Sequence, residues 1–180
     1  MTKSVLSAEI ETERCRLVPM DPRHTDHVVR WRNDPESKAF FLSQANISPA
    51  SHESWLAKQK ETGCDFNWVI EERKSGPIGA LGLYNIEWDL GRAEFGRLII
   101  GEKSALGRGY AKEAVAAVLS LAGDVELKSI YLRVKEENAR AQVLYTRLGF
   151  VEEESGPVKM MMKRIDRVRL PAAEAIARRQ

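Results

Sequence analysis

Gly107-Arg108-Gly109-Tyr110-Ala111-Lys112-Glu113-Ala114 is the stretch on which the reading of this chain turns. An apolar run, Leu98-Ile99-Ile100, and a short polar loop precede it, and a long helical pattern follows. Strand, glycine turn and helix start in that order make an anion site. The first helical turn presents unpaired backbone N–H groups, and the helix dipole favours negative charge there. Glycine lets such a backbone approach a phosphate closely and take positive φ. Three readings compete for the loop. A dinucleotide fingerprint needs a third glycine, and Lys112 stands where it would fall. A P-loop needs Gly-Lys-Ser/Thr at its end, which is absent. The third reading is a plain glycine turn between strand and helix.

The 180 residues suit one domain with a real core. A net charge of +2, with no basic stripe carrying interleaved aromatics, gives no reason to expect a nucleic-acid partner. No apolar run approaches the roughly 20 residues that span a bilayer, so no membrane partner is expected. Cys15 and Cys64 form neither a disulfide framework nor a metal pair, and we read both as reduced thiols. His24, His27 and His52 lack metal-ligand spacing and read as surface or helix-face residues, so no metal is expected. Met1-Thr2-Lys3-Ser4 leads into no signal-peptide core. The expected location is cytoplasmic.

Working outward from the loop, residues 1–13 read as a loosely held N-terminus, 14–164 as the domain, and 165–180 as a C-terminal extension with a frayed final helix from Pro171. A strand is expected over 16–20. Asp21-Pro22 then starts a helix to Asn33, with Asp21 as N-cap. Asp34-Pro35 breaks it, and a short second piece is expected over 38–42. Ser48-Pro49 starts another helix, closed by Gly63. Strands follow over 66–70, 77–84 and 92–100. The last becomes continuously apolar at Leu98-Ile99-Ile100, as a central strand covered on both faces does. The helix after Gly109 carries Val115, Val118, Leu119 and Ala122 on one face. A strand over 130–134, a helix capped by Asn138 and closed by Gly149, and strands over 150–154 and 158–163 complete the order. The fold class is α/β (α+β): a mixed, mostly antiparallel sheet of about seven strands with helices on both faces.

Leu98 to Ala114, taken with Val134 to Phe150, resembles the GCN5-related N-acetyltransferase (GNAT) superfamily. That family's acyl-CoA loop, Gln/Arg-x-x-Gly-x-Gly/Ala, is matched by Ser104-Ala105-Leu106-Gly107-Arg108-Gly109, with Ser104 in place of the usual Gln or Arg. Its later signature is matched by Asn138, Ala141, Tyr145, Gly149 and Phe150. The resemblance implies acetyl-CoA as co-substrate, with no metal, and direct transfer of acetyl to an amine. It places Leu98, Ile99, Ile100, Ser104, Leu106, Gly107, Arg108, Gly109, Tyr110 and Ala111 along the cofactor, with Asn138, Ala141 and Tyr145 across from them.

Such a transfer needs a base or a path to water for the amine proton, a donor for the developing oxyanion and a proton for the leaving thiolate. Tyr145 sits where the resemblance puts the hydroxyl that approaches the CoA sulfur; otherwise it is a helix tyrosine packed on the sheet. The oxyanion donor would be a backbone N–H around Leu98 to Ile100, where the family splays its two middle strands. Asn138 bonds the pantetheine or the loop near it, or caps its helix, and the two roles are compatible. Glu94, on the strand leading to the site, is the candidate base, with Glu87, Glu137 and an ordered water as rivals.

For the acceptor, Arg30-Trp31-Arg32-Asn33, followed by Phe40-Phe41, resembles acetyltransferases acting on nucleotide-linked amino sugars. Ile47-Ser48, His52, Trp55 and the strand over 78–83 fit the same branch. The branch acetylating ribosomal-protein N-termini shares the Trp-x-x-Asp-Pro helix end. Trp31 could stack on a base or sugar, and Arg30 or Arg32 could meet a diphosphate; alternatively Trp31 is core and the arginines are solvated. The short connection 151–157 replaces the longer acceptor loop of the amino-sugar branch. That leaves the site open, or leaves a second subunit of a homodimer to finish it. Expected partners are therefore a small-molecule or peptide amine. A non-catalytic acyl-CoA-binding module remains the alternative from another class.

Overall fold

The computed structural model describes residues 5–165. The final helix expected from Pro171 lies outside the described residues. The strands are β1 (Ile10–Glu11), β2 (Cys15–Pro19), β3 (Phe66–Glu72), β4 (Gly76–Glu87), β5 (Arg92–Ile100), β6 (Ser129–Lys135), β7 (Val151–Glu154) and β8 (Val158–Arg164). They form one sheet in the order β1-β2-β3-β4-β5-β6-β8-β7. Every neighbouring pair is antiparallel except β5 with β6. That one parallel pair requires a crossover, and the crossover is the helix that follows the glycine loop.

The helices are α1 (Thr25–Asn33), α2 (Pro35–Lys38), α3 (Pro49–Thr62), α4 (Tyr110–Asp124) and α5 (Ala139–Arg147). Their starts obey local chemistry. The Asp21 carboxylate accepts from the Arg23 N–H, and Pro22 opens a short 3-10 turn that leads into α1. The Ser48 hydroxyl accepts from the Ser51 N–H at the head of α3, and Gly63 ends α3 in the left-handed region. Asp34-Pro35 both breaks α1 and starts α2, because the Asp34 side chain accepts from the Ser37 N–H. The short piece expected over 38–42 therefore lies earlier, at Pro35–Lys38.

Helices α4 and α5 cover one face of the sheet, and α1 and α3 the other. The larger core joins Ala114, Val115, Val118, Ala122 and Tyr145 to Leu81, Leu83, Phe95 and Leu132. The smaller joins Val28, Trp31 and Leu56 to Val69, Ala80 and Ile99. Ile99 faces the smaller core while Leu98 and Ile100 pack against the larger, which explains the unbroken apolar run.

Two expectations change. The segment before residue 14 is not loose where it is described. Leu6 is buried in the larger core, and Ile10–Glu11 pairs with Leu17 and Arg16, adding an eighth strand. His24 and His52 lie on helical turns, but on their buried rather than their surface side. His24 Nδ1 accepts from the Asp21 N–H as the returning half of a capping box, and His52 Nδ1 meets the Thr25 hydroxyl at 3.1 Å. A polar side chain that can close a local turn is worth burying, which composition alone does not reveal.

Candidate active site

The glycine loop has the geometry its sequence calls for. Gly107 and Gly109 take φ of +74° and +86°, values that side-chain-bearing residues rarely adopt. Gly109 is the N-cap of α4, and no side chain caps the helix from that position. The first α4 N–H groups therefore face outward without a side-chain acceptor. The loop is held from behind by the N-terminal segment. Arg14 Nη1 donates to the Arg108 carbonyl at 2.8 Å, while Arg14 Nε donates to Glu113 in the first turn of α4 at 2.7 Å. The Glu113 carboxylate also accepts from the Thr12 hydroxyl at 2.6 Å and from the Arg14 N–H at 2.7 Å. Burial raises its pKa, but these three donors and the arginine charge outweigh that and bring it down to about 2. Glu113 is thus spoken for and leaves the dipole end of α4 available to an anion.

Beyond the loop the sheet opens. The β5–β6 ladder runs from Arg92↔Ser129 to Phe95↔Leu132 and stops there. Both strands continue, to Ile100 and Lys135, without pairing to each other. The β4–β5 register shifts between Ala80↔Ile99 and Gly82↔Gly96, and Arg97 takes a φ of +57° at this bulge. A bulge bends and twists its strand, which turns β5 away from β6. The wedge leaves the β6-facing edge of β5 without a partner strand around Leu98 to Ile100.

Tyr145 and Glu94 meet the apex of this wedge from opposite faces. Phe95 is the last residue of β5 that pairs with β6, and its ring meets Tyr145 edge-on, 6.1 Å between centres. Phe150 supports the other side of Tyr145 at 5.8 Å. Burial pushes the Tyr145 phenol well above the usual tyrosine range, with Tyr84 adding to the shift. It therefore stays protonated and can donate. Glu94, one residue before Phe95, projects from the other face and is 2% exposed. It accepts from Arg133 Nε at 2.9 Å, Asn85 Nδ2 at 2.8 Å, and the hydroxyls of Tyr84 and Tyr131 at 3.3 and 3.4 Å. Burial also pushes the Tyr84 hydroxyl up to about 12.

A single cleft of about 1510 Å³ brings the expected residues together. Leu98, Ile99, Ile100, Ser104, Leu106, Gly107, Gly109, Tyr110, Ala111, Asn138, Ala141 and Tyr145 line it, as do Glu94, Arg30, Trp31, Arg32, Asn33, Phe40 and Phe41. Arg108 does not line it and lies over the Tyr110 ring, 5.5 Å from its centre. The Tyr110 ring itself is buried, so that residue offers the cleft chiefly its backbone. The volume exceeds the few hundred to about 1,000 Å³ of a typical small-molecule site. It has room for a long cofactor and an acceptor together.

Several side chains of the cleft are tied into the fold itself. Trp31 is not a stacking platform: it is 1% exposed, and its indole N–H donates to Glu102 at 2.9 Å. Arg30 donates to the same Glu102 oxygen. The Asn33 amide exchanges hydrogen bonds with the Ile47 backbone, at 2.8 and 2.9 Å, and so fixes the segment after α2. Asn138 acts as a cap, its side chain accepting from the Ala141 N–H at 3.2 Å. Sequence reasoning overlooked Arg97 and Arg133. Arg97 binds Asp65 through both terminal nitrogens, at 2.6 and 2.9 Å, and lies over the Tyr84 ring at 3.8 Å. The signal for Arg97 was present: Gly96-Arg97 falls between Phe95 and the apolar run Leu98-Ile99-Ile100. Arg133 had none beyond its place two residues after Tyr131.

An uncapped glycine cradle at a helix start, opening onto a wedge in a mixed sheet with a protonated tyrosine at the apex, defines an acyl-CoA-dependent transferase. The chain belongs to the GNAT acetyltransferase family, whose domain model matches residues 14–151. It is an N-acetyltransferase that uses acetyl-CoA as co-substrate, and its fold is the GNAT fold. It is 34% identical over 122 residues to a spermidine N(1)-acetyltransferase of Vibrio cholerae, covering 67% of this chain and 69% of that protein. Two solved structures share the fold. The spermidine N-acetyltransferase from Vibrio cholerae in complex with CoA and spermine superposes with a TM-score of 0.77 at 24% identity, over 84% of this chain and 96% of that one. Mycobacterium smegmatis RimJ in complex with CoA-disulfide superposes with a TM-score of 0.78 at 18% identity, over 92% and 91%. The chain spans 26% of the length of another curated relative, an uncharacterised protein of Methanocaldococcus jannaschii. Among the described residues, no helix is long and apolar enough to cross a membrane.

Proposed function

We propose that this chain acetylates the primary amine of a small acceptor, an amino-sugar nucleotide being the first choice, by direct attack on the thioester. The observation that carries this reading is the apex of the wedge. Phe95 and Glu94 are consecutive on β5, so their side chains leave opposite faces of the sheet. Tyr145 sits against Phe95 on the helix α5 side, and the Glu94 carboxylate sits on the side of α1 and α3. The amine would approach from the Glu94 side. Its nitrogen forms the new C–N bond as the C–S bond breaks. The Tyr145 hydroxyl gives its proton to the departing sulfur, and the amine proton leaves toward Glu94, directly or through water. Arg133 and the two tyrosine hydroxyls hold Glu94 in place for that role. Unpaired β5 N–H groups near Leu98 would receive the charge that develops on the carbonyl oxygen.

The cradle would hold the cofactor diphosphate on backbone N–H groups of Gly109 to Lys112, with no need of a side chain at Ser104. Arg140 lies beside it, its Nη2 4.0 Å from where a Cβ on Gly107 would stand. The peptide-amine reading is supported by the short connection between β7 and β8, residues 155–157, which contributes no residue to the lining of the cleft.

Thiol release from acetyl-CoA, measured across amino-sugar nucleotides, polyamines, peptides and aminoglycosides, tests the proposal. Acceptor-stimulated release with an amino-sugar nucleotide is the expected result. Release with polyamines or peptides alone would replace the acceptor. Tight CoA binding with no stimulated release would leave a non-catalytic binding module.

A further inference from the structure

We infer that Arg32 forms an anion subsite in the acceptor half of the cleft, binding a carboxylate or phosphate group carried by the amine substrate. The inference rests on the acceptor reading above and specifies what the acceptor must bring besides its amine. Four arginines line this half, and three are already matched. Arg30 pairs with Glu102, Arg97 with Asp65 and Arg133 with Glu94. Arg32 has no carboxylate or carbonyl acceptor among the described residues. Its guanidinium lies over the Phe41 ring, 3.7 Å from the centre, so an aromatic face supports the ion without neutralising it.

The surroundings make the unmatched charge costly. Arg32 is partly buried, and the charged group that acts on it most strongly is another cation, Arg97. Burial and Arg97 together lower its pKa, a direction unusual for an arginine. A partly desolvated cation beside a second cation gains most from an anion delivered by a ligand. The position is also fixed in advance. Asn33, the next residue, clamps the Ile47 backbone in both directions, and Phe41 holds the guanidinium from below. A preformed fork loses less on binding than a mobile lysine would.

The subsite is connected to the reaction end. Arg32 neighbours Arg97, which lies over Tyr84, whose hydroxyl reaches Glu94. An acceptor with its amine near Glu94 would place an anionic group several bonds away on Arg32. The acids lining the cleft do not offer a matching cation site. Glu94 and Glu102 are ion-paired, Glu36 lies 3.7 Å from Lys103, and Asp34 caps α2.

Matched acceptor pairs test this. One pair is glucosamine 1-phosphate against methyl glucosaminide; the other is 6-aminohexanoate against its amide. The wild-type protein is expected to favour the anionic member of one pair by about 10-fold or more in kcat/KM, as a charge-assisted bond would provide. The pair that shows it names phosphate or carboxylate. In Arg32→Gln the ratio should fall to about unity, and Arg32→Lys should keep part of it. At saturating CoA, the favoured anionic acceptor should raise the melting temperature of the wild type more than that of Arg32→Gln. A wild-type ratio near unity in both pairs overturns the subsite, as does a ratio that survives Arg32→Gln. No thiol release with any amine would instead overturn the acceptor reading on which the subsite rests.

Discussion

Trp31 donates its indole N–H to Glu102 at 2.9 Å, joining α1 to the second residue past the end of β5, at the approach to the glycine loop. Gly101, the residue before Glu102, packs against the same indole. A Cβ built there would lie 2.0 Å from Trp31 Cγ, far inside contact distance. The indole can neither retreat into solvent nor shift easily, because it is part of the smaller core with Val28, Val69 and Ile99. Gly101→Ala should therefore destabilise the fold by about 1–3 kcal/mol, the usual range for overpacking, and occasionally more. It should also raise the KM for acetyl-CoA, since Glu102 leads straight into the loop. Denaturant melts paired with steady-state kinetics check both. Wild-type stability in Gly101→Ala would show that Trp31 has more freedom than its burial implies.

The cradle makes its own prediction at Gly109. Its φ of +86° already strains any side chain, and an added Cβ would lie 3.3 Å from Arg14 Nη2. That neighbour is the end of a flexible side chain and can give way. The larger effect of Gly109→Asp is electrostatic, because a carboxylate would stand where the diphosphate is to bind. The expected result is a rise in the KM for acetyl-CoA of about 10-fold or more with a smaller change in acceptor KM. An unchanged acetyl-CoA KM would remove the loop from cofactor binding.

The parts of this site readable from sequence are those set by neighbours along the chain. Gly107 and Gly109 announce a positive-φ turn at a helix start, and Asn138 announces a cap, because both depend on residues three or four positions away. The acceptor wall was read less well because its partners are remote. Trp31 looked available to a ligand until Glu102 and Gly101, about seventy residues on, closed over it. The wedge was invisible for the same reason. Where the β5–β6 ladder stops depends on a bulge opposite Ala80 and Gly82, not on any residue pattern in β6. The eighth strand escaped because Ile10–Glu11 is only two residues long and is surrounded by polar sequence.

At the apex, Tyr145→Phe keeps the ring contacts with Phe95 and Phe150 and removes only the hydroxyl. If that hydroxyl protonates the leaving sulfur, kcat should fall about 100-fold, at the low end for loss of a general acid, with little change in stability. The pH profile adds a sign. Burial places the Tyr145 pKa above the ordinary value of 10.0, so the donor form persists through the range where an exposed tyrosine would ionise. No loss of wild-type kcat from this group is expected as pH rises to about 10. A kcat in Tyr145→Phe equal to wild type would sink the acid assignment.

Glu113 supplies the stability prediction. Its folded pKa of about 2 lies below the ordinary 4.5, so the carboxylate favours the folded state once ionised. That contribution is fully present above about pH 4.5 and is lost as pH falls through about 2. Glu113→Gln removes the charge that Arg14 pairs with and weakens the acceptor for the Thr12 hydroxyl and the Arg14 N–H. The variant should lose about 1–3 kcal/mol at neutral pH, as expected when hydrogen bonds to a charged group are weakened. It should lose correspondingly less than the wild type on acidification from pH 5 toward 2, so the two unfolding curves converge at low pH. Because Arg14 also donates to the Arg108 carbonyl, freeing it should loosen the loop and raise the acetyl-CoA KM at pH 7. Parallel stability curves across that interval would mean that Glu113 does not couple the N-terminal segment to α4. A KM shift without a stability change would instead place its effect on the loop alone.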